Sequence, residues 1–211
     1  MKFLSVSISI LLLLGSPAAR RAEAGDDAQA LELTMEVLGE RYCAVNAQTD
    51  ALQLKLRLRY LNKGSRKLIL YRGNNLFYQL RVSRAADGTW SRKPELYMTS
   101  SRYFDEQPEQ LDRAAPGRVF TILSPGSAYE TVQPVTVPVR RAGSASLPRV
   151  LDAGEYTLQL VVSTWYGSKE LAEKLRRLWQ RNGLLRTDAV ASAPLRFRVE
   201  QQRSVVTCQE K

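Results

Sequence analysis

The chain has 211 residues, 44% of them hydrophobic and 25% charged, with 31 basic and 21 acidic side chains and no histidine. Without histidine there is no Ser-His-Asp or Cys-His site, no imidazole metal ligand and no near-neutral switch of the usual kind. The formal charge of +10 favours acidic partners, and two cysteines are too few for a Cys-only tetrahedral zinc site.

The first residues read as an export signal. Met1-Lys2 is a short basic start, Phe3 to Leu14 is apolar or small, and Gly15-Ser16-Pro17 breaks the run. Ala22 and Ala24 place small residues where a signal peptidase reads, with a cut after Ala18 as the alternative. The run is shorter than the ~20 apolar residues that a membrane-spanning helix needs. Removing residues 1–24 takes away Lys2, Arg20, Arg21 and Glu23 and leaves a net charge of about +8. Residues 25–30 are small and acidic, a flexible lead-in. Residues 31–211 then read as one domain, with no later membrane-spanning segment.

Leu31, Leu33, Met35 and Val37 alternate with polar residues and predict a first strand. Glu40 to Asp50 reads as a connection carrying Cys43. Leu52 to Leu61 alternates without a break and is the clearest strand, ending in the Asn62-Lys63-Gly64 turn. Lys67 to Tyr71 is a short third strand, Arg72 to Asn75 a turn, and Leu76, Tyr78, Leu80 and Val82 one face of a fourth. Asp87-Gly88 predicts a hairpin onto Trp90. From Ser91 to Gly117 the pattern dissolves among Pro94, Pro108 and Pro116 and predicts a long loop. Arg118 to Leu123 is a strand, and Ser124-Pro125-Gly126 a turn. From Tyr129 to Val139 alternate residues share a face, and Pro134 and Pro138 make this an edge strand. Leu151 to Tyr156 leads into a long, apolar, central strand through Val162. Ser168 caps a helix to about Asn182, with Leu171, Leu175, Leu178 and Trp179 as its apolar stripe. Strands near Ala189–Glu200 and Val205-Val206 close the chain. In an exported protein the Cys43 and Cys208 pair predicts a disulfide from the last strand to the opening segment, worth ~4–5 kcal/mol in the chain-entropy model.

Taken in chain order, several of these marks fit a known pattern. Gly154 and Tyr156 resemble the tyrosine corner of immunoglobulin-type sandwiches, in which a tyrosine hydroxyl is tied to upstream backbone. With the Asn62-x-Gly64 turn, the Asp87-Gly88-x-Trp90 hairpin and Leu-Ser-Pro-Gly before an edge strand, residues 52–164 resemble bacterial immunoglobulin-like sandwich domains. The Bacillus-type intracellular proteinase inhibitor domain is among them. The resemblance implies an all-β immunoglobulin-like antiparallel sandwich of seven to nine strands, a bacterial source, and an inhibitor function as one alternative. The helix and the two cysteines depart from that module.

Lys174, Arg177 and Arg181 form a basic stripe on the helix, a docking surface for an unknown envelope protein or an anionic surface, or else a solvated face. Trp165 and Tyr166 either frame a binding patch or close the core. Asp105, Glu106, Glu109 and Asp112 form an acidic cluster in the long loop, the only basis for a carboxylate-based glycan-acting enzyme. No catalytic, metal or cofactor-binding residue stands out, and the exported location argues against nucleic acid. The sequence therefore predicts a non-catalytic binding or structural module, periplasmic or extracellular, with no cofactor and a protein partner.

Overall fold

The computed structural model describes residues 30–72, 77–84, 96–100, 115–117, 119–145, 147–165, 167–202 and 204–207. The signal-peptide assignment, the Asp87-Gly88 turn, Trp90, the acidic cluster, Tyr166 and Cys208 lie outside them.

The fold is all-β, with a single helix among the described residues. Twelve strands, β1(Leu31–Ala44), β2(Thr49–Asn62), β3(Leu68–Tyr71), β4(Phe77–Arg84), β5(Leu96–Ser100), β6(Phe120–Leu123), β7(Ala128–Arg140), β8(Gly154–Ser163), β9(Leu184–Leu185), β10(Ala189–Ala191), β11(Leu195–Val199) and β12(Val205–Thr207), form three sheets. A four-stranded sheet has the order β12-β1-β2-β7. A five-stranded sheet has the order β10-β8-β4-β5, with β11 beside β10 on the same edge of β8. A small third sheet runs β6-β3-β9. The helix α1(Lys169–Leu178) lies between β8 and β9. Among the described residues these twelve strands exceed the expected seven to nine, because β5 lies in the stretch expected as loop, β9 is only two residues long, and the closing stretch expected near Ala189–Glu200 is divided into β10 and β11.

The pattern of β2 explains the core. Leu52, Leu54, Leu56, Leu58 and Tyr60 are essentially fully buried, and each such side chain stabilises the fold by ~1.5–3 kcal/mol relative to exposure. Their neighbours Gln53, Lys55, Arg57 and Arg59 turn outward. The inward faces of all three sheets join one hydrophobic cluster, with Leu33, Val82, Val137, Leu158, Leu160 and Val162 among its most buried members.

The first strand is longer than its sequence predicts. β1 continues through the stretch expected as a connection, so that Cys43 lies in a strand between Ala51 of β2 and Val206 of β12. The register shifts between Val37 and Gly39. This bulge inserts Leu38, 37% exposed, and interrupts the alternation that would have revealed the strand. The turn to β2 is closed by Asn46, whose Oδ1 accepts hydrogen bonds from the Gln48 and Thr49 amides. Likewise, β5 occupies residues expected to be loop and pairs antiparallel with β4, Leu96 opposite Val82.

The edge position of β7 is as expected. Arg140 N–H donates to the Leu151 carbonyl, and Leu151 N–H donates to the Pro138 carbonyl. Even-numbered residues of β7 therefore direct their backbone groups away from β2. Pro134 and Pro138 sit at those outward positions and remove two of the amides that an added strand would need. β8 is central and buried along Tyr156, Leu158, Leu160 and Val162. The Tyr156 hydroxyl donates to the Asp152 carbonyl at 3.0 Å, the tie expected of the corner. Gly154 enters β8 at φ +153°, a conformation that favours glycine.

Candidate functional site

The helix is fixed to the sandwich at both ends. At its start, Ser168 Oγ accepts the Leu171 amide at 3.1 Å. The Trp165 indole N–H donates to the Ser168 carbonyl at 3.1 Å. A Cβ on Gly167 would meet Cζ2 of Trp165 at 2.7 Å and Cδ2 of Leu171 at 3.2 Å, so the indole and Leu171 crowd one point where only glycine fits. At its end, Trp179 is buried and meets Phe120 edge-on at 5.0 Å, and Phe120 meets Tyr71 at 5.6 Å. Arg176 Nε donates to the Leu185 carbonyl at 3.4 Å, and its other nitrogen reaches the Thr187 hydroxyl. Gly183, at φ +152°, then brings Leu184 N–H onto the Lys67 carbonyl at 2.8 Å.

The helix ends at Leu178, with Trp179 as C-cap and a turn carrying the chain to Asn182. It is therefore shorter than the predicted 168–182. Its buried stripe also differs. Ala172, Leu175 and Trp179 are buried, Leu171 is partly buried, and Leu178 is 43% exposed. At 100° per residue Ala172, Leu175 and Trp179 fall within ~60° of one another, and Leu178 lies roughly 90° round from their centre. The sequence pattern joined Leu178 to the stripe because the i, i+4, i+7 and i+8 spacing of Leu171, Leu175, Leu178 and Trp179 spans both the centre and the margin of a helix face.

Lys174, Arg177 and Arg181 are all exposed. Lys174 and Arg177 share one side of the helix, opposite Ala172 and Trp179 and next to Leu171 and Leu178, and Arg181 follows in the turn beyond its end. Glu170 and Glu173 stand four residues before Lys174 and Arg177, the orientation that supports a helix through i, i+4 charge pairs. The Glu170 carboxyl is held below the usual carboxylate range, first by its own backbone N–H, then by the Ser168 hydroxyl and Lys169. Trp165 is partly buried and packs on the core. Together Trp165, Leu171 and Leu178 form a half-exposed apolar band that runs beside the basic stripe.

Two features away from the helix carry little sequence signal. Asp50, 1% exposed, accepts Arg141 Nε at 3.0 Å and a terminal guanidinium nitrogen at 2.7 Å on the same oxygen. The pair lines a recess of about 410 Å³ with Gln201, Gln202 and Val205. Only the fold brings Asp50, Arg141 and Gln201 together. The second feature is the outward face of the five-stranded sheet. Its Arg196 and Arg198, in Leu195-Arg196-Phe197-Arg198-Val199, are legible as an alternating strand, but their alignment with Arg81 is not.

Cys43 is fully buried. Among the described residues, no three of His, Cys, Asp and Glu converge as a metal site. No helix among them is long and apolar enough to cross a membrane.

No family model matches the chain, and no curated protein matches it. Among solved structures it is similar to the X-ray structure of Northeast Structural Genomics Consortium target SoR45. The similarity covers 82% of this chain and 89% of that one, at 10% identity and a TM-score of 0.34. A likeness that weak carries no argument about fold details or function.

Proposed function

We propose that the chain is an exported, non-catalytic binding module of the bacterial envelope, built on an immunoglobulin-like sandwich, and that it docks a protein partner on the outer side of α1. The observation that carries this reading is the exposure of Leu178 beside Lys174, Arg177 and Arg181, on a helix held by Trp165 and Trp179. An apolar anchor ringed by cations, on a rigid element, is the composition of an interface centre with a charged rim. It fits a protein surface that offers an apolar pocket edged by acidic residues. The band Trp165, Leu171 and Leu178 is too narrow for a membrane-surface helix, which needs a broad apolar face.

In this reading residues 1–24 are the export signal, and Cys43 pairs with Cys208. β12 ends at Thr207, the residue before Cys208, and Val206 lies beside Cys43, which supports that pairing. The resemblance to the Bacillus-type inhibitor domain belongs to the same proposal, resting on the Asn62-x-Gly64 turn, the Asp87-Gly88-x-Trp90 motif, Leu-Ser-Pro-Gly before the edge strand and the tyrosine corner.

The test is affinity capture from native envelope extract at physiological salt, comparing the mature protein with Leu178→Ser and with Lys174→Glu/Arg177→Glu/Arg181→Glu. One partner held by the wild type and lost by both variants supports the reading. A partner held equally by all three, or a stoichiometric protease, overturns it, the latter in favour of inhibition.

A further inference from the structure

The outward faces of the two larger sheets come from the same alternating pattern, yet their charges are arranged differently. On the four-stranded sheet the cations meet carboxylates across strands. Arg57 pairs with Glu36 at 2.9 Å, Arg59 with Glu130 at 3.5 Å, and Lys63 with Glu32 at 2.6 Å. On the five-stranded sheet Gln79 and Arg81 of β4, Glu155, Thr157 and Gln159 of β8, and Arg196 and Arg198 of β11 point outward, while the residues between them are buried. The register places Arg81 opposite Gln159, Arg196 opposite Thr157 and Arg198 opposite Glu155. Arg81 hydrogen-bonds the Gln79 amide oxygen at 3.5 Å. Among the described residues none of Arg81, Arg196 and Arg198 forms an ion pair.

Strand geometry sets the spacing. Arg196 and Arg198 stand about 7 Å apart along β11, and Arg81 lies roughly 12 Å from Arg196, two strands across and two residues along. Thr157 and Gln159 fill the ground between. Gln159 donates one amide hydrogen to the Ser192 carbonyl at 3.2 Å, which fixes the side chain with its oxygen available as an acceptor.

We propose that this face binds an acidic polysaccharide. Its carboxylates would lie on Arg81, Arg196 and Arg198, and its hydroxyls on Gln79, Thr157 and Gln159. Guanidinium groups suit carboxylates through paired N–H donors, and amides and hydroxyls suit sugar hydroxyls. A protein partner is disfavoured because protein interfaces centre on apolar or aromatic anchors, and the centre here is Thr157 and Gln159. Single-stranded nucleic acid binds by stacking successive bases on aromatic side chains, and the outward residues of β8 and β11 include none. The site is separate from α1 and does not depend on the docking reading.

The probe is polygalacturonate, titrated calorimetrically against the mature protein at 50 mM and 200 mM salt. Neutral dextran, poly-glutamate and oligo-dT serve as comparisons. The wild type should bind polygalacturonate and weaken about twentyfold or more between the two salts, as expected when roughly three contacts release counterions. Arg81→Gln/Arg196→Gln/Arg198→Gln should weaken binding at least about tenfold, and Arg196→Gln alone about two- to threefold. Arg57→Gln/Arg59→Gln on the opposite sheet should bind as the wild type does. No binding by the wild type, unchanged binding by the triple variant, an equal loss in the opposite-sheet variant, or equal affinity for poly-glutamate or oligo-dT overturns the proposal. All these arginines are at the surface, so the variants should melt with the wild type, and the single substitution keeps the test open if the triple one does not.

Discussion

Replacing Asn62 should destabilise this protein more than any other single polar substitution among the described residues. The side chain is fully buried. Its Nδ2 donates to the Leu123 carbonyl at 2.9 Å and to the Arg66 carbonyl at 2.8 Å, and its Oδ1 accepts the Gly64 amide at 2.9 Å. Its backbone N–H donates to the Ser127 carbonyl, and its own carbonyl accepts the Gly126 amide. One residue thus joins the end of β2, the turn into β3, the end of β6 and the start of β7. Asn62→Ala removes three hydrogen bonds worth ~0.5–1.5 kcal/mol each and leaves the Leu123 carbonyl buried without its donor, at ~1–3 kcal/mol. Gly64 and Arg66 are nearer the surface and can turn to water, so the total comes to about 3 kcal/mol. In a domain of this size that lowers Tm by roughly 6–12 °C. Asn62→Asp keeps the shape but turns a carboxylate oxygen toward two carbonyls. Burial and those dipoles raise the native-state pKa above the unfolded value of ~3.9. Between the unfolded and native values the native state holds the extra proton, so stability falls as pH rises, by ~1.4 kcal/mol per pH interval of one. Urea unfolding of the oxidised protein at pH 4 and pH 7 measures both effects. A cost below about 1 kcal/mol for Asn62→Ala, or an Asn62→Asp stability that tracks the wild type across this range, would show that Asn62 does not tie these strands together.

Gly183→Ala forces a side chain into φ +152° and places a Cβ 2.8 Å from the Lys67 carbonyl oxygen. It should cost ~1–3 kcal/mol, read by thermal unfolding, whereas Gly39→Ala, where a Cβ would meet nothing within 4 Å, should cost far less. Pro134→Thr/Pro138→Thr restores two outward amides on β7 and should turn a monomeric light-scattering profile into a concentration-dependent dimer or aggregate. Because the Glu170 carboxyl is held low in the folded state, its contribution is present above the unfolded value of ~4.3 and is lost as pH falls through the lower folded value. Glu170→Gln should therefore flatten the acid limb of helix stability, followed by far-ultraviolet circular dichroism between about pH 2 and pH 5.

Where the sequence was legible, a strand faced core on one side and water on the other over an unbroken run. β2, β4, β7 and β8 satisfy that, and so do the proline edge and the tyrosine corner, since each rests on a local constraint. The hidden parts have local causes of a different kind. The bulge at Leu38 breaks the period of β1, β9 is too short to have one, and β5 sits in a stretch whose flanking prolines suggested loop. The candidate site was half legible. The basic residues of α1 can be read from their spacing, but the exposure of Leu178 depends on how far Trp179 rotates the helix toward Phe120. The alignment of Arg81 with Arg196 depends on β8 lying between β4 and β11, a topology that no local pattern encodes.

The docking role of α1 is best tested inside the cell envelope. A photo-crosslinking amino acid placed at Leu178 should yield one discrete, light-dependent adduct, abolished when Lys174, Arg177 and Arg181 are changed to Glu. The same amino acid at Val132, a similarly exposed apolar position on the outer face of β7, should yield none. An absent adduct at position 178, or equal adducts at 178 and 132, would mean that α1 is not a docking surface.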